Sequence, residues 1–242
     1  MTPGTLYGIG IGPGDPDLIT VKGASILSRC RHVFVPKART ASESLALSIA
    51  GRHVRPAAAV HELVFPMTTD EQELDQRWRE SARQVAAVLT NGDDACFLTL
   101  GDPFLYSTYI YLMRALRQEL PGAPIVTVPG VTAFSAAAAL AGFPVGEKKS
   151  PVTIVPTSDD LDQIRRAIAA GGTVVLMKIG KRLPEILQVL EECGVLERSV
   201  LVSRAGLPKE RVETDLRRLR QSGTEAEYLA VILVQAGQAA SP

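Results

Sequence analysis

Ala95-Cys-Phe-Leu-Thr-Leu-Gly-Asp-Pro-Phe-Leu-Tyr-Ser-Thr108 is the stretch from which the fold is read. Ala95 to Leu100 is a short apolar run that follows the turn signal Asn91-Gly92-Asp93-Asp94, and it reads as a strand buried on both faces. Gly101-Asp102-Pro103 stops it. Gly101 has no Cβ, so another backbone or a ligand can come close. Asp102 places a carboxylate at the strand's C-terminal end. Pro103 removes an N–H and ends the ladder. In open α/β sheets the crevice beyond the strands' carboxyl ends is where ligands bind. A carboxylate there suits a ribose, an amino group or a cation, and it equally suits a cap on an ordinary strand-to-helix turn.

Upstream, Leu6-Tyr-Gly-Ile-Gly-Ile-Gly12 reads as the first strand and runs into Pro13-Gly14-Asp15-Pro16. It has the look of a dinucleotide fingerprint but fails the spacing. Gly8-x-Gly10 needs a glycine where Pro13 stands, and Gly10-x-Gly12 needs one where Asp15 stands. What remains is a glycine-rich loop stiffened by proline at a strand end. Asp17 or Thr20 can cap the helix that follows, through about Arg29. Downstream, Pro129-Gly130-Val-Thr-Ala-Phe-Ser-Ala-Ala-Ala-Ala-Leu-Ala-Gly142 predicts a helix of almost no side-chain girth, with Thr132 as N-cap. Such a face suits close packing in a core, against a backbone, or against a flat ligand.

The rest alternates strand and helix. Strands are expected at His32–Pro36, Val60–Phe65, Pro124–Val128, Val152–Val155, Thr173–Lys178, Ser199–Ser203, Lys209–Thr214 and Tyr228–Gln235. Helices are expected at Ser42–Gly51 with Gly51 as C-cap, over an amphipathic run through Leu74, Trp78, Val85 and Leu89, and at Tyr109–Leu120, Leu161–Ala170 and Pro184–Cys193. Trp78 reads as core. About ten strands in two sheets follow, with the break near Pro129 to Pro144. The expected fold is therefore α/β in two domains, 1–128 and 129–242.

Composition narrows the function. Lys+Arg and Asp+Glu both total 26, so no global field attracts nucleic acid or an anionic membrane. Cys30, Cys96 and Cys193 form no Cys-x-x-Cys pair and read as structural thiols of a reducing compartment. His32, His53 and His61 lack metal-ligand spacing, so no metal site is expected. No apolar run reaches membrane-spanning length, and no signal peptide opens the chain. The expectation is a cytoplasmic protein. There is no P-loop, no Gly-x-Ser-x-Gly elbow and no nucleophile–base pair. Such an inventory suits a reaction whose reactants carry their own reactivity and are mostly positioned by the protein.

Four stretches together resemble one family, the tetrapyrrole (corrin and porphyrin precursor) methylases. They are Gly8-x-Gly10-x-Gly12-Pro-Gly-Asp-Pro-x-Leu-x-Thr20, the strand ending Gly101-Asp102-Pro103, Pro129-Gly130-Val-Thr-Ala133 and Val174-Val-Leu-Met-Lys178. Order and spacing match from about residue 5 to residue 236. The resemblance implies two α/β domains of the class III methyltransferase fold, S-adenosylmethionine in the inter-domain cleft, and a homodimer. Val35-Pro36-Lys37, Phe65-Pro66-Met67-Thr68 and Thr99 to Thr108 resemble the branch that methylates C20 of precorrin-2. The uroporphyrinogen-III branch usually carries a second glycine before Gly-Asp-Pro and Phe-Gly-Arg-Gly soon after. Leu100 and Tyr106-Ser107-Thr108 stand there instead.

Carried over by motif, the cofactor positions are Pro13, Gly101, Asp102, Leu105, Thr132, Ala133, Met177 and Ala205, the last on a looser match at Ser203-Arg-Ala-Gly206. Tyr106, Ser107 and Thr108 are placed near the methionine end. The implied substrate carries many carboxylates, so bases at predicted strand ends are its candidate partners: Lys37, Arg39, Lys178, Arg182 and Arg204. Each also reads as an ordinary surface charge. No residue has a claim to be the catalytic base. Other acceptors within the fold remain open, namely another corrin intermediate, a protein side chain or ribosomal RNA, and so does a non-catalytic cofactor-sensing module.

Overall fold

The computed structural model describes residues 2–38, 44–65, 70–157, 160–222 and 229–237. Its contacts divide the chain into two compact units, Met1–Thr132 and Ala133–Pro242.

In the N-terminal unit five parallel strands stand in the order β3-β2-β4-β1-β5: β1 (Leu6–Gly10), β2 (His32–Ala38), β3 (Ala59–Phe65), β4 (Ala95–Thr99) and β5 (Ile125–Val128). All five residues of β4 are buried, as an apolar run in the middle of a parallel sheet requires. Four helices accompany them: α1 (Val21–Leu27), α2 (Leu45–Ala50), α3 (Glu71–Thr90) and α4 (Tyr109–Glu119). Thr20, not Asp17, caps α1, its Oγ1 accepting from the Gly23 N–H at 3.1 Å. Asp70 caps α3 by accepting from the Gln72 and Glu73 N–H groups. Val85 and Leu89 of α3 and Leu112 and Leu116 of α4 close over Leu6, Phe34, Leu63 and Phe97. Trp78 is half-buried between Phe65 and Tyr111, with ring centroids 4.4 and 5.2 Å away. The Tyr109 ring fills the space above Gly8, where a Cβ would lie 2.2 Å from it, and the Tyr109 hydroxyl meets Thr127 Oγ1 at 2.7 Å.

The C-terminal unit has a mixed sheet in the order β6-β7-β10-β8-β9: β6 (Val152–Pro156), β7 (Gly172–Met177), β8 (Ser199–Ser203), β9 (Arg211–Glu213) and β10 (Ala230–Gly237). β6 and β7 are parallel, and β10 runs antiparallel to both β7 and β8. α5 (Ala133–Ala141) covers one face, with Ala137 against Val175, Val202 and Leu233. α6 (Leu161–Ala169), α7 (Leu183–Glu192) and α8 (Leu216–Ser222) cover the other, with Ile164, Ile186, Leu190 and Leu219 against Leu176 and Ile232.

Gly51 is the C-cap of α2 as expected, with a φ of −52° that continues the turn into a 3-10 segment, Gly51–His53. Two other readings change. The sequence reading assigns no element at α8, where only Leu216 and Leu219 mark an apolar side. Gly172 opens β7 rather than preceding it, with a φ of +79° and Pro151 O 2.1 Å from where its Cβ would be.

His32 Nδ1 and His61 Nε2 lie 3.1 Å apart across β2 and β3, and the His61 ring stacks on Phe34. One ring must be neutral for that bond to exist. Burial, and then the His32 charge, lower the His61 pKa from its ordinary value. The folded state therefore binds fewer protons than the unfolded chain, and this contribution to stability is lost as pH falls through the unfolded value of about 6.5. Denaturant titrations from about pH 7.5 to 5.5 are expected to show stability declining on acidification, with a shallower decline in His61→Phe. Equal slopes would refute the assignment.

Candidate functional site

Beyond the carboxyl ends of β1, β4 and β5 three backbones meet without side chains. A Cβ on Gly10 would lie 2.6 Å from both Gly101 O and Gly130 N, and one on Gly130 would lie 2.2 Å from Gly101 O. Gly101 N donates to Gly12 O at 2.8 Å, and Gly12 and Gly101 form an isolated bridge. Gly12 and Gly101 have φ values of +77° and +64°, which favour glycine on conformational grounds as well. The close approach foreseen at Gly101 is thus made by the protein's own chain.

Asp102 ties this junction together. Its Oδ1 accepts from the Phe104 N–H at 2.9 Å and its Oδ2 from the Gly130 N–H at 3.1 Å. One carboxylate caps the turn after β4 and holds the Pro129-Gly130 loop. Sequence reasoning had the cap but not the second bond, since Gly130 is 28 residues away. Ser107 is buried, its Oγ 2.7 Å from Thr99 Oγ1 and accepting from the Tyr109 N–H. It therefore anchors the loop. Between these anchors Tyr106 has a φ of +52°, is 39% exposed, and has its phenol pKa raised by burial. Thr108 precedes α4 without a side-chain cap bond.

Of the eight cofactor positions, Asp102, Leu105 and Thr132 of the N-terminal unit and Ala133, Met177 and Ala205 of the C-terminal unit are half-buried, so each keeps surface that a ligand can cover. Pro13 and Gly101 are buried. Ala133, Met177 and Ala205 share one apolar cluster beside α5. Thr157, which sequence reasoning missed, fixes the end of β7: its Oγ1 donates to Met177 O at 3.0 Å and Lys178 O at 2.6 Å.

The basic candidates divide. Lys37 Nζ is engaged by Glu62 at 2.7 Å across β2 and β3, and the Lys37 side chain is 19% exposed. Arg39 lies outside the described residues. Arg182 bonds Glu185 at 2.5 Å within one turn. Lys178 and Arg204 stand directly after β7 and β8, both left-handed, with φ values of +57° and +54°. β7 and β8 flank β10, so these ends lie two strand spacings apart, about 10 Å. Arg204 Nε donates to Pro208 O at 2.7 Å, which orients the guanidinium. Among the described residues no group of three or more His, Cys, Asp or Glu could hold a metal ion, and no helix is long and apolar enough to cross a membrane.

Comparison with known proteins adds a family. The model of the Tetrapyrrole (Corrin/Porphyrin) Methylases matches residues 5–220. The chain is 34% identical over 233 residues to the cobalt-precorrin-2 C(20)-methyltransferase of Salmonella typhimurium (strain LT2), covering 96% of each. It is 30% identical over 239 residues to the precorrin-2 C(20)-methyltransferase of a Sinorhizobium species, covering 96% of this chain and 95% of that one. A cobalt precorrin-4 methyltransferase structure superposes with a TM-score of 0.72 at 24% identity, covering 95% of this chain and 94% of that one. The Thermus thermophilus uroporphyrin-III C-methyltransferase complexed with S-adenosyl homocysteine gives 0.66 at 24%, covering 96% and 97%. At these identities the two structures share the fold.

Asp102→Ala leaves the Phe104 and Gly130 N–H groups without their acceptor and is expected to cost about 1–3 kcal/mol in denaturant unfolding. Gly130→Ala forces the junction apart and is expected to cost at least as much, about 1–3 kcal/mol or more. Stability equal to the parent in both variants would show that the junction does not hold the loops.

Proposed function

Because the chain belongs to the tetrapyrrole (corrin/porphyrin) methylases, we propose that it transfers a methyl group from S-adenosylmethionine to C20 of precorrin-2 or cobalt-precorrin-2, giving precorrin-3A or cobalt-precorrin-3 in cobalamin biosynthesis. The observation that carries this reading is the pair of C(20)-methyltransferase relatives, 34% and 30% identical, each matched along 96% of the chain. The replacement of the uroporphyrinogen-branch residues by Leu100 and Tyr106-Ser107-Thr108 supports it. The homodimer implied by the resemblance belongs to the same reading.

S-adenosylmethionine supplies a methyl group on a positively charged sulfur, open to attack by an electron-rich carbon. The residues present fit such a group. Half-buried Leu105, Thr132, Ala133, Met177 and Ala205 offer small or apolar surface, and Asp102 and Gly130 hold the loops that carry the polar backbone. The protein binds, orients and excludes water rather than making a nucleophile. Alignment of this kind supplies up to roughly 7–11 kcal/mol. Lys178 and Arg204 serve the acceptor's peripheral carboxylates. Their strained backbones, each costing on the order of 1–3 kcal/mol, hold two cations at strand ends where relaxed residues would stabilise the fold more. Lys37, paired with Glu62, serves the edge of the sheet first.

The test is an anaerobic incubation with S-adenosylmethionine and enzymatically made precorrin-2, with and without inserted cobalt, read by product mass and by NMR of a labelled methyl. One added methyl at C20 is expected, and the preferred acceptor assigns the metal-free or the cobalt route. No transfer to either form, from protein that binds S-adenosylmethionine, would sink the reading. Arg204→Ala and Lys178→Ala are each expected to raise the tetrapyrrole KM by about 10-fold or more, the loss of one charge-assisted hydrogen bond. S-adenosylmethionine affinity by calorimetry should not move. An unchanged KM would remove these cations from the acceptor site.

A further inference from the structure

The turn that leaves β7 holds two left-handed residues, and only one of them is a glycine. Lys178 has a φ of +57° and Gly180 a φ of +52°. Ile179 between them is buried in the core of the C-terminal unit, and the chain then passes into the 3-10 segment Gly180–Arg182. Glycine adopts a left-handed φ freely, whereas the Cβ of a lysine there crowds the following carbonyl oxygen. Lys178 is exposed, so packing in the core does not explain why a side chain stands at this position.

Thr157 holds this turn from the neighbouring strand. It directly follows β6, which runs parallel to β7 with Pro156 opposite Met177. The Thr157 N–H donates to Met177 O at 2.8 Å. Its Oγ1 lies 3.0 Å from Met177 O and 2.6 Å from Lys178 O. The two carbonyls are therefore held unequally. Met177 O keeps the backbone N–H whatever side chain stands at 157, and the hydroxyl makes its shorter bond to Lys178 O. That oxygen belongs to the peptide that sets ψ of Lys178.

We propose that Thr157 is a positioning residue for the acceptor: its hydroxyl fixes the left-handed backbone of Lys178, and so aims the Lys178 ammonium at an acceptor carboxylate, while the cofactor position Met177 does not depend on it. The proposal rests on the acceptor role given to Lys178 above. A lysine carries its charge on a flexible stem, so the direction in which that stem leaves the chain is what a backbone tie can set. With an extended or right-handed backbone at 178 the Cα–Cβ bond points elsewhere, and the ammonium swings with it.

The experiment compares, in the full chain, Thr157→Val, which keeps the shape and loses the hydroxyl, with Thr157→Ser, which keeps the hydroxyl. Thr157→Val is expected to raise the tetrapyrrole KM by about 2- to 10-fold, the loss of one hydrogen bond. Its S-adenosylmethionine affinity by calorimetry should equal that of the parent, and Thr157→Ser should return the parent KM. In the Lys178→Ala background Thr157→Val should raise KM no further, because its effect passes through the ammonium. Backbone 13C shifts of Lys178 are expected to move off left-handed values in Thr157→Val and to hold them in Thr157→Ser. Should Thr157→Val fail to fold, Thr157→Ala removes the same hydroxyl and is read in the same way. An unchanged KM, an equal loss of S-adenosylmethionine affinity, an additive effect on Lys178→Ala, or unmoved Lys178 shifts would each overturn the proposal. A parent that methylates neither form of precorrin-2 overturns the acceptor assignment instead, and the Lys178 shifts still decide the backbone tie.

Discussion

The meeting of Gly10, Gly101 and Gly130 is the constraint on which the candidate site in the N-terminal unit depends. Each lies at or just past the carboxyl end of a strand, and any side chain on Gly10 or Gly130 would displace a neighbouring backbone. Because these backbones touch, the loops after β1, β4 and β5 have fixed relative positions. Asp102 adds a polar tie between two of them at the place where the strand ladder ends and backbone N–H groups need acceptors. Within this unit, Gly101 of the positions matched to the cofactor by motif belongs to the junction itself, and Asp102 is bonded to its Gly130.

The C-terminal unit reaches a comparable result with different means. Small residues on α5 let the helix lie close to β7, β8 and β10, leaving Ala133, Met177 and Ala205 together in one apolar cluster. Thr157 fixes the end of β7 through two backbone carbonyls. Immediately beyond, Lys178 and Arg204 hold left-handed backbones that L-residues seldom adopt. Tyr106 does the same after β4, between the anchors Asp102 and Ser107. Methyl transfer to an electron-rich carbon asks for position rather than for a powerful base, and rigid loops at strand ends supply position.

Charge is local throughout. The chain has 26 positive and 26 negative side chains, and among the described residues several cations have partners close by, such as Lys37 with Glu62 and Arg182 with Glu185. Such pairs contribute little stability at the surface, on the order of 0–1 kcal/mol each. Lys37 is paired across β2 and β3, and Lys178 holds a left-handed backbone after β7, a difference that a list of basic residues at strand ends does not carry.

Several things about this protein were determined by its sequence alone. The apolar run Ala95–Leu100 predicts a strand buried on both faces, the strand–helix alternation predicts an α/β fold, and Gly-Asp-Pro marks where that strand ends. These are local properties, set by periodicity, by the missing Cβ of glycine and by the missing N–H of proline. Tertiary structure alone decided the rest. It gave Asp102 its second partner across 28 residues and set Tyr109 against Gly8. It also made α8 a helix, because Leu216 and Leu219 are buried against a core that the local sequence does not contain. Such contacts join residues far apart in the chain, and the free energy that selects them exists only once the sheet has brought them together.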